Sequence, residues 1–343
     1  MPRSSRLLCL GAVLLLLAGA AGCDSGSEQP PATPDAGTRP DSGYPPIPER
    51  TSCTGLTVGP GDHLLTLQHA GRTRTYKLHV PPGYVATRPT PAVVAFHGYS
   101  SDALEQEGLS RMSQVADEKG FIAIYPFGVN YAEALGSADA GPGLADTRSW
   151  NAGGCCGPAQ IYNVNDVDFV EALFADLDKR VCIDTRRTYA TGLSNGGFFS
   201  YRLACDRAER FAAIAPVAGM ENNISCAPSR PVPVMHFHGT SDQTIPFDGG
   251  VIPFGRPYTS APATVARFAG LNGCAGPLQQ TYQKGDSTCR THTGCSATAT
   301  LCTIQGGGHT WPGGLMPPDF GHTTMDLDAT REMWRFFEAN PRP

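Results

Sequence analysis

Short apolar runs alternate along most of the chain with stretches in which apolar residues recur at helical spacing. The runs are rich in β-branched side chains and are bounded by Gly, Pro and polar residues, as is typical of buried strands. We predict strands over 75–80, 92–96, 121–125, 188–190, 212–217, 232–237 and 299–304. We predict helices over 103–119, 167–180, 195–205, 261–271 and 327–338. This alternation predicts an α/β fold with a mostly parallel central sheet and helices on both faces.

The first 22 residues depart from this pattern and are typical of an export signal. Arg3 and Arg6 precede an uncharged apolar run over 7–21, which ends in small residues and is short for a membrane-spanning helix. Residues 20–23 read Ala-Ala-Gly-Cys and are similar to the lipobox of bacterial lipoproteins, so we predict lipidation at Cys23. Ala20 stands where an aliphatic residue is more usual. Cleavage by an ordinary signal peptidase, with Cys23 unmodified, therefore stays open.

A Pro-rich stretch follows the predicted signal. Residues 24–50 contain seven Pro, and Tyr44 and Ile47 are their only large apolar side chains. Such a segment cannot bury a core of its own. We therefore predict a lipidation site and tether over 23–52, and one domain of uniform texture over 53–343.

Composition narrows the classes of partner and cofactor. The chain has 26 Lys and Arg against 31 Asp and Glu, and its basic residues are not clustered, which argues against nucleic acid. Ten Cys remain after Cys9 and Cys23, an even number that predicts structural disulfides in an exported protein, with the pairing left open. Cys155 and Cys156 are adjacent and no CxxC pair is repeated, so we predict no metal and no cofactor.

A candidate nucleophile stands at the end of one predicted strand. Residues 192–196 read Gly-Leu-Ser-Asn-Gly between the strand at 188–190 and the helix at 195–205. A GxSxG motif in this context forms a tight turn that exposes the serine. A serine hydroxyl needs a neighbouring base to take its proton. We therefore predict Ser194 as a catalytic nucleophile.

The acid and the base are predicted from chain order. Nucleophile, acid and histidine follow one another in α/β-hydrolases, each in a loop after a strand. Asp242 follows the strand at 232–237 and His309 follows the strand at 299–304, so we predict a Ser194, Asp242 and His309 triad. His322 is the reserve base and Asp248 the reserve acid.

Two other sets of residues near these strands need an interpretation. His236 and His238 lie on one face of a strand and suggest a metal pair, but no further ligands complete it, so packed histidines are favoured. The oxyanion needs two N–H donors. We predict the backbone of Asn195 for one and that of Tyr99 for the other, with Gly98 as the alternative. His97 is expected to orient that loop.

Longer strings then resemble a known family. These are His97-Gly98, the Arg148-to-Pro158 string RSWNAGGCCGP, residues 192–197, His238-Gly239 with Asp242, and the string GGHTWPGG at 307–314. Together they are similar to the secreted polyhydroxybutyrate depolymerase and feruloyl esterase family, which resembles carbohydrate esterase family 1 and has the α/β-hydrolase fold. The resemblance spans roughly 53–340 and implies the same triad. Asn165 replaces the first of two acids that are usual in the family.

The resemblance carries two further implications. It implies that the Cys155-Cys156 loop is tied to the body by disulfides, with Cys182 and Cys205 as partners, and a vicinal disulfide is the less favoured alternative. It also raises the possibility that Trp150 and Trp311 line the acyl pocket, against the alternative that they pack under long loops.

These observations predict an exported, monomeric, cofactor-free serine esterase. Its substrates are expected to be small or oligomeric esters of hydroxyalkanoic or phenolic acids, and the lipid anchor is its only predicted contact with a membrane. An acetylxylan-type esterase and a non-catalytic surface binding protein on the same scaffold are the alternatives. The sequence leaves the acyl group open.

Overall fold

The apolar runs assemble into one large twisted sheet. The computed structural model describes residues 44, 47–136, 146–222, 225–252 and 257–343. The strands in this part of the chain are β1 Gly61–His69, β2 Arg72–Val80, β3 Thr90–Phe96, β4 Ile122–Pro126, β5 Ile183–Leu193, β6 Ala213–Val217, β7 Val234–Gly239, β8 Gly250–Val251, β9 Pro257–Tyr258, β10 Leu278–Lys284, β11 Ser287–His292 and β12 Ala299–Ile304. Ten of them form a sheet in the order β1-β2-β4-β3-β5-β6-β7-β12-β11-β10, and β8 pairs with β9 alone.

The centre of the sheet is parallel and its two edges are antiparallel. Strands β4, β3, β5, β6, β7 and β12 run parallel to one another. Strand β1 pairs antiparallel with β2 at one edge, and β10 pairs antiparallel with β11 at the other. Every residue of β3, β4 and β6 is buried, as expected for parallel strands that are covered on both faces.

Helices cover both faces of this sheet. Their bounds are α1 Ala103–Ser110, α2 Met112–Lys119, α3 Tyr131–Leu135, α4 Gly157–Ile161, α5 Asp166–Leu177, α6 Asn195–Asp206, α7 Ala261–Leu271 and α8 Ala329–Glu338. Side chains of α5, α6 and α7 join one large apolar cluster, and those of α1, α2 and α8 join a second. The predicted fold class, a mostly parallel sheet between two helical layers, is confirmed.

Local structure departs from the predictions at identifiable residues. Arg111 has a φ of 53° and divides the predicted helix 103–119 into α1 and α2. Asn165, at the position where an acid is usual, accepts a hydrogen bond from the Asp168 N–H at 3.2 Å and caps α5. A neutral amide therefore serves at this helix start, because an Asn side chain caps as well as an Asp.

The disulfide pairing corrects the pairing implied by the family resemblance. The bonds are Cys53–Cys182, Cys155–Cys156, Cys205–Cys226, Cys274–Cys295 and Cys289–Cys302. Cys155 lies at the carboxyl end of β5, next to Asn195, whereas Cys182 precedes the same strand. Eleven strand residues hold the two apart by roughly 30 Å or more. Cys205 lies ten helical residues beyond Asn195, about 15 Å away, so neither reaches the Cys155-Cys156 loop.

The end of the predicted tether contacts the body of the protein. The guanidinium of Arg207 lies 3.7 Å from the ring centroid of Tyr44. Thr185 Oγ1 donates to the Pro48 carbonyl at 3.0 Å, and Arg50 pairs with Asp178 at 3.0 Å. Ordered contacts thus begin ahead of the predicted domain start at 53. The predicted signal peptide and Cys23 lie outside the described residues, and none of the helices described is long and apolar enough to cross a membrane.

Candidate active site

The predicted nucleophile occupies a strained turn between β5 and α6. Ser194 has a φ of 55° and a ψ of −119°, a combination that few non-glycine residues adopt. Its N–H donates to the Val217 carbonyl at 2.9 Å, which fixes the turn on β6. A methyl group on Gly192 or Gly196 would collide with the Phe96 carbonyl of β3. Both glycines are therefore required by the close approach of β3 to this turn.

The predicted acid and base meet because their strands are neighbours. Strands β7 and β12 are parallel and pair Gly239 with Ile304, so the loops that follow them leave the sheet at the same edge. His309 Nδ1 lies 2.7 Å from Asp242 Oδ2, and both side chains are buried. The carboxylate can only accept, so Nδ1 carries the proton and Nε2 is left as the basic nitrogen.

The carboxylate of Asp242 is held by backbone as well as by side chains. Its Oδ1 accepts from the N–H groups of Thr244 at 2.9 Å and Ile245 at 2.8 Å. Burial by itself raises the pKa of this carboxyl, but hydrogen bonds from His238 and His309 outweigh burial, and the pKa lies below its usual range. Asp242 is thus an anion at neutral pH and can stabilise an imidazolium at His309.

Both predicted oxyanion donors lie near Ser194: Asn195 follows it in the chain, and Tyr99 lines the same cavity. Neither the N–H of Asn195 nor that of Tyr99 has an acceptor among the described residues. Asn195 is the first residue of α6, where the helix dipole favours negative charge. Its side-chain Oδ1 accepts from the Trp150 N–H at 2.7 Å and its Nδ2 donates to the Trp150 carbonyl at 3.0 Å. These two bonds fix the start of the helix against the 149–158 loop.

His97 orients the other donor. Its Nε2 accepts from the Gly128 N–H at 2.8 Å, so Nδ1 carries the proton and donates to the Gly98 carbonyl at 2.7 Å. Burial lowers the pKa of His97 to about 4, which keeps this neutral form at ordinary pH. In a trans peptide the carbonyl and the next N–H point in opposite directions. Holding the Gly98 carbonyl therefore directs the Tyr99 N–H away from His97.

Ser194 and His309 both line one cavity of about 710 Å³ at this edge of the sheet. Its wall is largely apolar and is formed by Leu109, Leu193, Leu315, Met316, Pro317 and Phe320, with Tyr99 at the side of the oxyanion loop. Glu105 is the carboxylate on the wall. Tyr99, Leu315 and Phe320 are large apolar side chains that remain exposed, so the mouth as well as the interior offers apolar surface.

Neither tryptophan of the predicted acyl pocket lines this cavity, which is a correction. Trp150 and Trp311 are fully buried. Trp150 stacks on Phe199 with ring centroids 5.4 Å apart, and its Nε1 donates to the His97 carbonyl at 3.2 Å. Trp311 Nε1 donates to Thr330 Oγ1 at 3.0 Å. Both indoles pack beneath the loops, because their N–H groups find partners there and their rings find apolar neighbours.

The reserve residues lie elsewhere. His322 is exposed and pairs with Asp286 at 2.8 Å, so it is not the partner of Asp242. Asp248 is exposed on the loop beyond the acid. His236 and His238 do share one face of β7, as predicted, but His236 Nε2 lies 3.0 Å from His238 Nδ1, a hydrogen bond between the two rings.

Metal-ligating residue types also cluster elsewhere in the described part of the chain. Two groups of three occur, namely Cys205, Glu221 and Cys226, and Asp62, His79 and Glu107. The two sulfurs of the first are joined as a disulfide. In the second, Lys77 Nζ already bonds Glu107 at 2.5 Å and lies 3.1 Å from Asp62. Both groups are explained without a metal.

Curated relatives and a solved structure resemble this chain. The chain is 30% identical over 279 residues to the probable feruloyl esterase C of Aspergillus oryzae, covering 79% of this chain and 86% of the relative. This chain belongs to the feruloyl esterase family. Feruloyl esterase B of Piromyces equi is 30% identical over 251 residues, which span 70% of this chain and 43% of that relative. A scan against protein-family models finds no match.

The family assignment confirms the predicted class of enzyme, a carboxylic ester hydrolase. The native crystal structure of pOPH superposes on this member of the feruloyl esterase family with a TM-score of 0.51 and 15% identity, covering 84% of this chain and 90% of pOPH. At that identity the likeness concerns the fold alone, a mostly parallel sheet with helices on both faces.

Sequence reasoning missed most of the cavity wall. Leu315, Met316 and Phe320 follow His309 in the chain, and Leu109 lies on the first helix after the oxyanion loop. The apolar residues in the otherwise polar loop after the base were the available signal, since exposed apolar side chains close to a catalytic residue indicate a binding surface.

Proposed function

We propose that the protein is a serine carboxylesterase that acts on esters of phenolic or hydroxyalkanoic acids. The observation that carries this proposal is that Ser194 and His309 share one cavity while Asp242 holds His309 Nδ1 at 2.7 Å. Nucleophile, base and acid then stand in the roles that acyl transfer needs.

The reaction proceeds through an acyl-enzyme. Ser194 Oγ attacks the ester carbonyl carbon while His309 Nε2 takes the hydroxyl proton. The N–H groups of Asn195 and Tyr99 donate to the oxygen that becomes negative, at the start of α6. Collapse of this intermediate expels the alcohol, which receives the proton from His309. Water, activated by the same imidazole, then attacks the acyl carbon, and the acid leaves with Ser194 restored.

The chemistry of the cavity supports the substrate class. The Leu, Met, Pro and Phe side chains of the wall suit an aromatic or short aliphatic acyl group, and Phe320 offers a ring for stacking. Glu105 opposes an anionic group in the same space. A neutral ester of a phenolic acid meets both conditions, as do hydroxybutyryl esters, whereas an acetyl ester leaves much of the apolar wall uncovered.

The proposed location is outside the bacterial cytoplasm. Five disulfides are typical of proteins that fold in an oxidising compartment. The basic and apolar start of the chain and the small residues before Cys23 support export with a lipid anchor. The enzyme acts as a monomer that requires no cofactor, held near the membrane by the Pro-rich segment.

Turnover by the Ser194→Ala variant tests the proposal. The full-length protein is assayed with methyl ferulate, acetylated xylan and 3-hydroxybutyrate oligomers, and kcat/KM is compared. We expect methyl ferulate or the oligomers to exceed acetylated xylan at least tenfold, and Ser194→Ala to lose several orders of magnitude with each substrate. Full activity in Ser194→Ala, or no turnover by the parent protein on any of the three esters, would contradict the proposal.

A further inference from the structure

A line of buried polar contacts, two hydrogen bonds and one longer contact to a carboxylate, runs behind the candidate triad. Tyr201 Oη lies 2.9 Å from His236 Nδ1, His236 Nε2 lies 3.0 Å from His238 Nδ1, and His238 Nε2 lies 3.3 Å from Asp242 Oδ2. All four side chains are buried. The mechanism above uses Asp242 alone of these four, so the other three require a separate account.

The acceptors around His238 fix its tautomer. Its Nε2 faces the Ile245 carbonyl at 2.8 Å and the Asp242 carboxylate at 3.3 Å, and neither can donate. Nε2 therefore carries a proton. With a neutral ring, Nδ1 is then an acceptor, so the proton between the two rings belongs to His236 Nε2.

The same reasoning continues to Tyr201. With its proton on Nε2, His236 presents Nδ1 as an acceptor, and the Tyr201 hydroxyl donates to it. Each nitrogen and the hydroxyl thus has a partner in a single neutral arrangement, and His238 Nε2 faces two acceptors. The reverse direction needs a doubly protonated His238, which is a full charge in a site that water does not reach. Burial and the neighbouring His238 also hold the pKa of His236 well below its usual range.

We propose that His238 is a positioning residue for the esterase reaction. His236 and Tyr201 fix its tautomer, and its Nε2–H, which donates to the Ile245 carbonyl at 2.8 Å, also faces Asp242 Oδ2 at 3.3 Å and orients that oxygen for His309. The hydrogen bonds of Thr244 and Ile245 fix Oδ1 of the same carboxylate. His238 completes this set on Oδ2, beside the 2.7 Å bond to His309 Nδ1. Without this donor, Oδ2 keeps only its bond to His309, so the carboxylate holds the imidazole less firmly in the orientation that catalysis needs.

This inference rests on the proposed function and adds a residue to it. His238 does not line the cavity, so its effect falls on kcat and leaves KM unchanged. A hydrogen bond to a charged group accounts for roughly a tenfold change in rate or more.

Two substitutions at one position separate the donor from the bulk of the side chain. His238→Phe keeps a ring of similar size but removes the N–H group. His238→Gln places an amide N–H close to the position of Nε2 and keeps the donor. The matched control is His322→Phe, because His322 pairs with Asp286 at the surface. Each full-length variant is assayed with p-nitrophenyl acetate, and thermal unfolding is followed in parallel.

We expect His238→Phe to lower kcat at least tenfold with KM unchanged, and His238→Gln and His322→Phe to stay within about threefold of the parent. Equal losses in the two His238 variants, or a His238→Phe enzyme with the parent kcat, would overturn the proposal. Activity retained in Ser194→Ala would contradict the proposed function. Loss of activity in Ser194→Ala together with full activity in a folded His238→Phe enzyme would contradict only the role of His238.

A second measurement covers the case in which His238→Phe does not fold. Tyr201→Phe removes one hydroxyl at the far end of the line. We expect it to shift the low-field proton NMR resonance of the His309 Nδ1–H that faces Asp242, because the donors are coupled through the line. An unchanged resonance in folded Tyr201→Phe would contradict the coupling that the proposal requires.

Discussion

Replacing Asp242 by Asn tests whether the geometry of the candidate triad produces catalysis. Asn has the size of Asp but carries one oxygen and one NH₂ group. Two backbone N–H groups point at Oδ1, so the amide oxygen stays there and the NH₂ takes the place of Oδ2. The NH₂ group then faces the Nδ1–H of His309. Both groups are hydrogen-bond donors, so no hydrogen bond can form between them. His309 responds by moving its proton to Nε2, the nitrogen that must accept the proton of Ser194.

The expected loss is large because the base is in the wrong tautomer. Replacing the acid of a Ser-His-Asp triad by Asn, which leaves the histidine in the wrong tautomer, lowers kcat about 10⁴-fold. This corresponds to a rise of about 5 kcal/mol in the activation free energy. The assay is steady-state hydrolysis of p-nitrophenyl acetate, with circular dichroism to show that the variant is folded. The control is Asp248→Asn, since Asp248 is exposed on the same loop, and its kcat should match the parent. A folded Asp242→Asn enzyme within tenfold of the parent would refute the reasoning.

Three further predictions concern stability. Gly196→Ala should lower the free energy of unfolding by more than about 3 kcal/mol, because the added methyl group collides with a neighbouring carbonyl. Its control, Gly270→Ala on α7, has open space around the added methyl group and should raise the free energy of unfolding by about 0.5–1 kcal/mol. Equal melting temperatures for the two variants would contradict this prediction. Arg74→Met should lower the free energy of unfolding by about 3–5 kcal/mol in a denaturant titration, because the fully buried Asp166, 2.9 Å from Arg74, loses its cationic partner. A decrease below about 1 kcal/mol would contradict this prediction. The pKa of Asp242 is lower in the folded protein than in the unfolded chain. The ionised carboxylate therefore contributes to the free energy of unfolding at pH values above the unfolded pKa of about 4, and this contribution is lost as the pH falls below that value. The parent should therefore lose more stability than Asp242→Asn between pH 5 and pH 2, and parallel curves would argue against the shift.

The order of elements and the triad candidates could be predicted because parallel strands leave a local signal. The strand predicted over 299–304 matches β12 Ala299–Ile304, since most of its residues are buried and half of them are β-branched. Functional loops follow such strands at one edge of the sheet. The candidates Asp242 and His309 therefore followed from strand order, and Ser194 from the GxSxG motif after a strand.

The edges of the sheet left no such signal. Strand β10 Leu278–Lys284 was missed because nearly all of its residues are exposed, so apolar periodicity does not mark it. It is held by its ladder with β11, which is a contact between segments and not a property of either one. The break at Arg111 was missed for a related reason, because the apolar pattern of α1 and α2 continues across it.

Burial decided the cases in which the sequence offered two interpretations. A Trp next to a catalytic loop is consistent with a pocket wall or with packing, and only the hydrogen bonds and stacking of Trp150 and Trp311 distinguish these. The pairing of the ten cysteines depends in the same way on distances between distant segments, which no local pattern encodes. The His236 and His238 pattern gave the correct face of the strand, but the line from Tyr201 to Asp242 needs the packing of α6 against β7.

Labelling with a fluorophosphonate shows whether Ser194 is an activated nucleophile, because this reagent reacts with a serine only when a neighbouring base activates it. The full-length protein is treated, digested and analysed by mass spectrometry. We expect one label per chain, on Ser194, with loss of esterase activity in proportion to labelling. A label on another serine, or full activity in protein labelled at Ser194, would contradict it.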